Sequence, residues 1–183
     1  MFLMSKAKHD IVMTAFTFDL LTIVTALTEA AQRGVHVQVY VDQGHSMRGT
    51  TADQMNRLES LRAQGVEVRL ARGVSSGGIQ HSKTLFVDDT FFLSGSTNWT
   101  YSSRSNHEVS TLVELSAGGS IAVAQKLRYL SEVSVLLTME EVRASQTLRE
   151  GRNHAKTQEP VDRYATARKF SIARARSREP RAT

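Results

Sequence analysis

The residues with the clearest capacity for chemistry lie between positions 81 and 108. His81 and Lys83 stand two positions apart in a segment that is typical of a strand, so we expect both side chains on one face, roughly 6.5–7 Å apart. An imidazole and an ammonium so placed can act on one phosphate, because the ring nitrogen attacks phosphorus while the cation neutralises a non-bridging oxygen. The pair predicts a site for phosphoryl chemistry.

Three further side chains are predicted to complete this site. A returning strand ends at Gly95-Ser96, whose backbone amide and hydroxyl can donate to a phosphate, and Asn98 adds a neutral amide donor. Glu108 is the candidate to accept the proton on the second ring nitrogen of His81, which fixes the tautomer and orientation of the ring. Each residue alone is typical of a turn or a solvated surface, and only their joint spacing favours catalysis.

This spacing resembles the signature of a known family. The residues run His81-x-Lys83-x4-Asp88, then Gly95-Ser96-x-Asn98, then Glu108. They resemble the HKD motif of the phospholipase D superfamily, with its trailing Gly-Ser-x-Asn and later Glu. The segments Ala30–Val37 and Val41-Asp42 also resemble the family, so that the resemblance covers about Ile11 to Ser131. It is strongest to short, single-motif members, the bacterial endonucleases and the mitochondrial cardiolipin hydrolase or piRNA-pathway nuclease group.

The resemblance implies a role for each residue of the motif. His81 would be the nucleophile that forms a phosphohistidine intermediate, and Glu108 would orient its ring. Asp88 would be mainly structural and anchor the motif strand. The phosphate oxygens would be held by Lys83, Ser96 and Asn98. The implied hydrolysis of a phosphodiester needs no metal and no other cofactor.

One such motif supplies only half of the site that this chemistry needs. A second imidazole has to protonate the leaving oxygen and then activate water. No other histidine heads a motif of this kind; His154 comes closest through Lys156 but lacks the Asp and the Gly-Ser-x-Asn. The resemblance therefore implies a homodimer in which two copies of His81 meet across a twofold axis and exchange the roles of acid and nucleophile.

The motif does not distinguish nucleic acid from a phospholipid such as cardiolipin. Residues 43–51 and 72–78, which would shape the mouth of the cleft, offer His45, Arg48 and Arg72 but few large apolar side chains. That composition favours a nucleic-acid strand over an acyl chain. The alternative is a catalytically inactive protein that binds nucleic acid or an anionic membrane, because a chain that does not dimerise keeps the phosphate-binding groups without the second histidine.

The elements that must position these residues alternate over the first seventy residues. Apolar, strand-like runs at Ile11–Phe18, Val35–Val41 and Val66–Leu70 are separated by amphipathic segments that end at Gly34 and Gly65. The order strand–helix–strand–helix–strand predicts parallel strands covered by helices. The expected N-cap of the first helix is Asp19, and a loop is expected over Asp42–Thr51.

A hairpin, a strand and a helix are predicted to follow. The hairpin pairs Gln80–Val87 with Thr90–Leu93 through the turn Asp88-Asp89. A strand near Glu108–Leu115 then precedes a helix from about Ser120 to Ser131. With the resemblance, these elements predict an α/β, phospholipase D-like fold: a mixed, largely parallel β-sheet flanked by helices on both faces.

Composition and charge divide the chain into two parts. The 183 residues carry a net charge of +5, yet residues 1–138 hold equal numbers of basic and acidic side chains, so the whole excess lies in 139–183. We predict a catalytic domain over 1–138 and a basic, largely disordered tail over 139–183, with one further helix at Glu140–Glu150. The tail is expected to bind a polyanion.

The sequence also bears on the compartment. No secretory signal or membrane-spanning apolar run is present, and the absence of cysteine excludes disulfides, thiolate metal sites and a cysteine nucleophile. We expect an intracellular protein, in the cytoplasm or at the mitochondrial surface. Family members usually carry another strand and most of a helix ahead of the Ile11 strand, so the resemblance raises the expectation of a truncated N-terminus.

Overall fold

The protein is described by a computed structural model that covers residues 1–48 and 52–158. The helices are α1 (Phe2–Lys6), α2 (Leu21–Gln32), α3 (Gln43–Arg48), α4 (Ala52–Ala63), α5 (Ala117–Glu132) and α6 (Met139–Gln158), with a 3₁₀ turn at Ser102–Ser105. The strands are β1 (Asp10–Ala15), β2 (His36–Asp42), β3 (Glu67–Ala71), β4 (Thr84–Val87), β5 (Phe91–Gly95), β6 (Ser110–Glu114) and β7 (Ser134–Leu136).

All seven strands of the described residues form one open sheet in the order β6-β5-β4-β1-β2-β3-β7. The pairs β1–β2 and β2–β3 are parallel, and the other four pairs are antiparallel. The predicted mixed sheet is confirmed, but most of its strand pairs are antiparallel, whereas a largely parallel sheet was predicted. The connection between β4 and β5 is too short for a parallel pair, which needs a crossover of about a dozen residues or more, and β6 returns antiparallel to β5 after the loop 96–109.

Helices cover both faces of the sheet, as predicted. On one face, Ile11, Met13 and Val39 are fully buried against helices α1, α2 and α4. On the other, a smaller cluster of Val12, Tyr40 and Phe86 packs against α5. The alternation of Ile11 and Met13 with Val12 along β1 follows from the period of two in a strand, since successive side chains point to opposite faces.

Two aspartates act differently from their predicted roles. Asp19 does not cap α2, whose N-cap is Leu20; its carboxylate accepts the backbone N–H of Tyr101 at 2.6 Å. Asp42 is the residue that begins a helix, because its Oδ1 accepts the backbone N–H of His45 at 2.6 Å, the bond of an N-cap. The predicted loop is therefore wrong for Gln43–Arg48, which form α3, and residues 49–51 lie outside the described range.

The last described element, α6, runs from Met139 to Gln158 and is longer than the predicted helix at Glu140–Glu150. Residues 159–183 lie outside the described part of the chain, so the domain boundary at 138/139 and the disordered tail stay predictions. No helix in the described residues is long and apolar enough to cross a membrane.

The hairpin turn between β4 and β5 is held to the start of β1 by one carboxylate. Asp88 and Asp89 both have positive φ, 51° and 52°, the left-handed backbone that a tight hairpin turn uses. The carboxylate of Asp88 accepts the backbone N–H groups of Lys8, His9 and Asp10 at 2.7, 2.8 and 3.0 Å. Burial alone raises the pKa of Asp88, but these three bonds outweigh it and lower the pKa overall.

We expect Asp88→Asn to lower the free energy of unfolding by about 1–2 kcal/mol at neutral pH. The two charge-assisted bonds to Oδ1 become neutral, and the amide nitrogen that replaces Oδ2 cannot accept the N–H of Lys8. Asn tolerates the left-handed backbone, so the turn itself is preserved. Since the folded pKa is depressed, the difference from wild type should be complete above about pH 4 and disappear as the pH falls through the folded pKa. Urea unfolding at several pH values measures both.

The matched control is Asp89→Asn, at the neighbouring position with the same backbone and no hydrogen bond from its side chain within the described residues. It should leave stability within about 0.5 kcal/mol of wild type. Equal effects of the two variants would show that the turn, and not the three bonds, matters.

Candidate active site

The strand directions bring distant parts of the chain to one edge of the sheet. Strands β1 and β2 are parallel and end at this edge; β4 is antiparallel to β1 and begins there. Because β5 runs back along β4 and β6 back along β5, the end of β5 and the start of β6 lie at the same edge. The edge therefore collects Phe16, residues 42–45, 81–83, 95–98 and 106–110.

His81 and Lys83 were predicted to lie within a strand. They lie instead in the extended segment immediately before β4. The Lys83 ammonium donates to the carbonyl oxygen of His81 at 2.6 Å and lies 3.0 Å from Nδ1 of the same residue. The two side chains thus lie on the same side of the chain, as predicted. The ammonium and the imidazole are closer together than the predicted spacing, because the Lys83 side chain bends toward His81. An ammonium only donates, so Nδ1 accepts and Nε2 is the other nitrogen of the exposed ring.

Lys83 is a buried cation, with 5% of its surface exposed. Burial lowers the pKa of Lys83, and the negative charge of Glu108 partly opposes this shift. No carboxylate lies within ion-pair distance of its nitrogen among the described residues. A buried ammonium with only neutral hydrogen-bond partners is a strong attractor for an anion.

Phe16 is a member of the site that the sequence analysis did not identify. Its ring centroid lies 4.9 Å from that of His81 and 4.5 Å from that of His45, and the Lys83 nitrogen lies 5.7 Å from it. The ring therefore forms an apolar wall behind the imidazole and the ammonium. No sequence signal marks it, because only the pairing of β1 with β4 places the residue after β1 beside the motif.

Ser96 and Glu108 form a second polar cluster at this edge. The hydroxyl of Ser96 donates to Oε2 of Glu108 in a short bond, while Asn106 donates to Oε1 at 3.1 Å. The Ser96 bond, then the Asn106 bond and the charge of Lys83, lower the pKa of Glu108 against a small opposing effect of burial. Within the described residues Glu108 makes no hydrogen bond to His81, so the predicted orienting contact is not present in this arrangement.

Gly95 allows β6 to approach closely. A Cβ on this residue would overlap the carbonyl oxygen of Val109 and the hydroxyl of Ser110, and would lie 2.7 Å from the Cα of Ser110. Ser96 then continues the pairing, with its N–H donating to the Val109 carbonyl at 2.9 Å. The Gly-Ser pair thereby sets the position of Glu108, one residue before Val109.

The remaining predicted residues lie in different surroundings. Asn98 follows β5, its Oδ1 is buried, and its side chain makes no hydrogen bond to the described residues. Asp88 stands at the opposite end of β4, roughly 20 Å from His81 along the extended chain, so it cannot touch a phosphate held there. Its three bonds to backbone N–H groups are consistent with the structural role that the resemblance implies.

No group of three or more His, Asp or Glu side chains with the placement of a metal site occurs in the described residues. Beside the motif, a cavity of about 390 Å³ lies between α5, the sheet and the loop Arg72–Gln80. Its lining is mainly apolar, with Ile79, Leu127 and Leu130 among its residues. Most of this apolar lining comes from α5 and the sheet, and not from residues 43–51 and 72–78, which were expected to shape the mouth of the cleft.

Comparison with known proteins defines the class to which this fold and site belong. Residues 2–132 match the family described as the phospholipase D-like domain of cardiolipin synthase. The match covers most of the chain, which therefore belongs to the phospholipase D-like family.

Particular relatives are similar over part of their length. Mitochondrial cardiolipin hydrolase of Xenopus tropicalis is 30% identical over 111 residues, 61% of this chain and 49% of the relative. A phospholipase D of Rickettsia prowazekii is 31% identical, over 60% of this chain and 50% of the relative. This chain thus spans about half the length of both. The crystal structure of Nuc, a phospholipase D family member from Salmonella typhimurium, superimposes with a TM-score of 0.65 at 20% identity, covering 74% of this chain and 86% of Nuc.

Gly95→Ala should lower the free energy of unfolding by about 1–3 kcal/mol, because the added methyl group displaces β6. The control is Gly118→Ala near the start of α5, where a Cβ meets no atom within 4 Å. Alanine favours a helix over glycine, so this variant should be as stable as wild type or slightly more stable. Urea unfolding compares the three proteins, and equal stability of all three would contradict the close approach of β6.

Glu108→Gln should lower the pKa of Lys83 further, because it removes the negative charge that opposes the effect of burial. The measurement is an NMR titration of the Lys83 side chain in the full chain. Asp89→Asn, at the far turn, removes one negative charge as well and should leave the Lys83 titration unchanged. A rise in the pKa of Lys83 on Glu108→Gln is the result that this electrostatic account does not allow.

Proposed function

We propose that the chain is a metal-independent phosphodiesterase that acts through a phosphohistidine intermediate at His81. The observation that carries the proposal is the buried Lys83 ammonium in contact with Nδ1 of His81, which leaves Nε2 on an exposed ring. An anionic phosphate is the group that such a cation attracts, and an imidazole nitrogen beside it is a nucleophile for phosphorus. Family relatives named cardiolipin hydrolase and phospholipase D support this reaction class.

The first step is a displacement at phosphorus. A bound phosphate draws the Lys83 ammonium onto its oxygens, because an anionic oxygen is a stronger acceptor than a neutral ring nitrogen. Nδ1 of His81 can then carry the ring proton, and Nε2 attacks. The P–N bond forms as the P–O ester bond breaks, and the leaving oxygen takes a proton from a second imidazole.

The second step returns the enzyme to its starting state. Water attacks phosphorus and gives its proton to the second imidazole, while the P–N bond breaks and the electron pair returns to Nε2. Ser96 and Asn98 bind phosphate oxygens in this proposal, Ser96 through its hydroxyl and Asn98 through the N–H groups of its amide. Glu108 stays ionised through its bonds to Ser96 and Asn106 and serves as acceptor for the Nδ1 proton once Ser96 turns to the phosphate.

The second imidazole is His81 of another copy, so the active form in this proposal is a homodimer. His45 is another imidazole at this edge, but Phe16 packs against both rings, Nε2 of His45 is buried without a partner, and burial lowers the pKa of His45. A neutral, enclosed ring is a poor acid. A twofold axis beside the exposed His81 ring brings the two copies together.

The substrate is a phosphodiester of a nucleic acid or of a phospholipid, and the basic residues beyond 138 suit either polyanion. An intracellular location, in the cytoplasm or at the mitochondrial surface, is part of the same proposal; a chain without cysteine fits a reducing compartment. The second function is a binder without turnover, which the same buried cation serves when the chain stays monomeric.

The test is hydrolysis of an aryl phosphodiester in excess EDTA by wild type, His81→Asn and His9→Asn. His9 is an exposed imidazole at the opposite end of the sheet. We expect turnover by wild type and His9→Asn, no turnover by His81→Asn, and a phosphorylated His81 peptide in quenched wild-type reactions by mass spectrometry. Binding of the diester without turnover by wild type would favour the binder.

A mixing measurement tests the shared site. Wild type and His81→Asn are unfolded, mixed in equal amounts and refolded together. If each site needs His81 from both copies, activity falls to about one quarter of that of unmixed wild type, and if each chain acts alone it falls to about one half. A fall to one half would contradict the homodimeric site, but it would not contradict the proposal that His81 is the nucleophile.

A further inference from the structure

The cavity beside the motif shares a wall with the candidate active site. The segment Gln80–Lys83 has His81 and Lys83 on one side, whereas Gln80 and Ser82 line the cavity on the other. Successive residues of extended chain are about 3.3 Å apart, so the cavity begins within roughly 7 Å of His81. A molecule whose phosphate is held at His81 can reach the cavity around the exposed Ser82, which lies just before the start of β4.

The lining of the cavity suits a hydrocarbon. Apolar side chains of α5 and the sheet form most of it: Phe92, Val123, Leu127, Leu130 and Val133. Its volume of about 390 Å³ is within the range of about 300–1,000 Å³ that ligand pockets have. No α5 residue is classed as fully buried, so this face of the sheet is only partly covered by the helix.

The polar groups of the wall are already paired with one another. The Thr14 hydroxyl lies 2.8 Å from that of Thr84 and accepts from Ser82 at 3.0 Å, and the Gln80 amide donates to the Ser82 hydroxyl at 2.8 Å. A buried nucleobase or sugar would find few free donors and acceptors here, and burying its polar edges without partners is costly. An acyl chain needs none.

The rim of the cavity combines positive charge with exposed apolar residues. Arg72 and Lys126 line it, and neither forms an ion pair within the described residues. Val74 and Ile79 of the same loop are 85% and 48% exposed. This pattern fits an amphiphile with an anionic head, and an apolar loop tip can enter the edge of a lipid layer.

We propose that this cavity binds one acyl chain of an anionic phospholipid whose phosphodiester is held at His81. The inference rests on the proposed function and deepens it, because it names the substrate class of the site as phospholipid. The headgroup charge lies at Arg72 and Lys126, and the chain passes between α5 and the sheet. A phospholipid substrate is the opposite of the preference drawn from the sequence, which was for a nucleic-acid strand.

The first test measures binding without catalysis. The probe is cis-parinaric acid, a fatty acid whose fluorescence rises in an apolar site, titrated into the full chain. Ala122→Phe and Val123→Phe place a ring in the cavity, and Gln125→Phe places the same ring on the same helix outside it. Ala122 is exposed, so its variant tests the cavity even if Val123→Phe fails to fold.

We expect both cavity variants to weaken binding by at least about tenfold, the equivalent of excluding about two methylene groups, and Gln125→Phe to bind as wild type does. Unchanged binding in a folded Ala122→Phe variant would overturn the inference. Displacement of the probe by a single-stranded oligonucleotide would also overturn it, since the cavity would then take a base.

The second test separates the cavity from the reaction. It compares kcat/KM for long-chain phosphatidylglycerol with that for an aryl phosphodiester that has no acyl chain. Ala122→Phe should lower the first by at least about tenfold and leave the second unchanged. Equal values for phosphatidylglycerol in wild type and Ala122→Phe would overturn the inference while the proposed function stands.

The same measurement exposes failure of the proposed function itself. Absence of turnover of both substrates by wild type would count against the phosphodiesterase, and the parinaric acid titration then decides the cavity alone. For the charged rim, Lys126→Gln should lower kcat/KM for phosphatidylglycerol more than for phosphatidylcholine. Equal losses on the two lipids would overturn the choice of an anionic headgroup.

Discussion

The antiparallel pairing of β1 with β4 is the constraint on which the site depends, and side chains hold it at both ends. At the turn, Asp88 binds the backbone N–H groups that begin β1. At the other end, the Thr14 hydroxyl accepts the N–H of Thr84 at 3.0 Å and contacts the Thr84 hydroxyl. A shift of one residue would turn every side chain of β4 to the opposite face, so these bonds determine that Lys83 is buried beside Phe16.

The buried ammonium explains why the neighbouring groups are arranged as they are. Lys83 has lost most of its hydration and has only the carbonyl and ring nitrogen of His81 as close partners. Glu108 compensates its charge from a distance and is itself kept ionised by Ser96 and Asn106. The edge therefore carries a cation and an anion that are not paired directly, and both keep capacity to bind a substrate or a proton.

The two faces of the sheet differ in a way that bears on function. The face under α1, α2 and α4 is closely packed and holds the register of β1 and β2. The face under α5 has a small core of Val12, Tyr40 and Phe86 and leaves a cavity next to the motif. The closely packed face holds β1, which pairs with β4 directly after His81 and Lys83, while the other face leaves room beside the motif.

The sequence by itself determined which residues are candidates for the chemistry and where most of the local elements lie. His81, Lys83, Ser96, Asn98 and Glu108 could be identified by type and spacing, and Gly34 and Gly65 by the left-handed backbone that ends α2 and α4, φ 87° at each. These are properties of neighbours in the chain, which composition and periodicity report directly.

Only the tertiary structure decided which residues meet. The antiparallel return of β4–β6, the place of Phe16 beside His81, the cap that Asp42 gives to α3, and the bond of Ser96 to Glu108 all join residues whose contact depends on strand pairing or on a side-chain direction. The apolar cavity likewise required α5 to lie over the sheet next to the motif. Except for the local cap of Asp42, these contacts arise from packing between distant segments, and spacing along the chain carries no record of them.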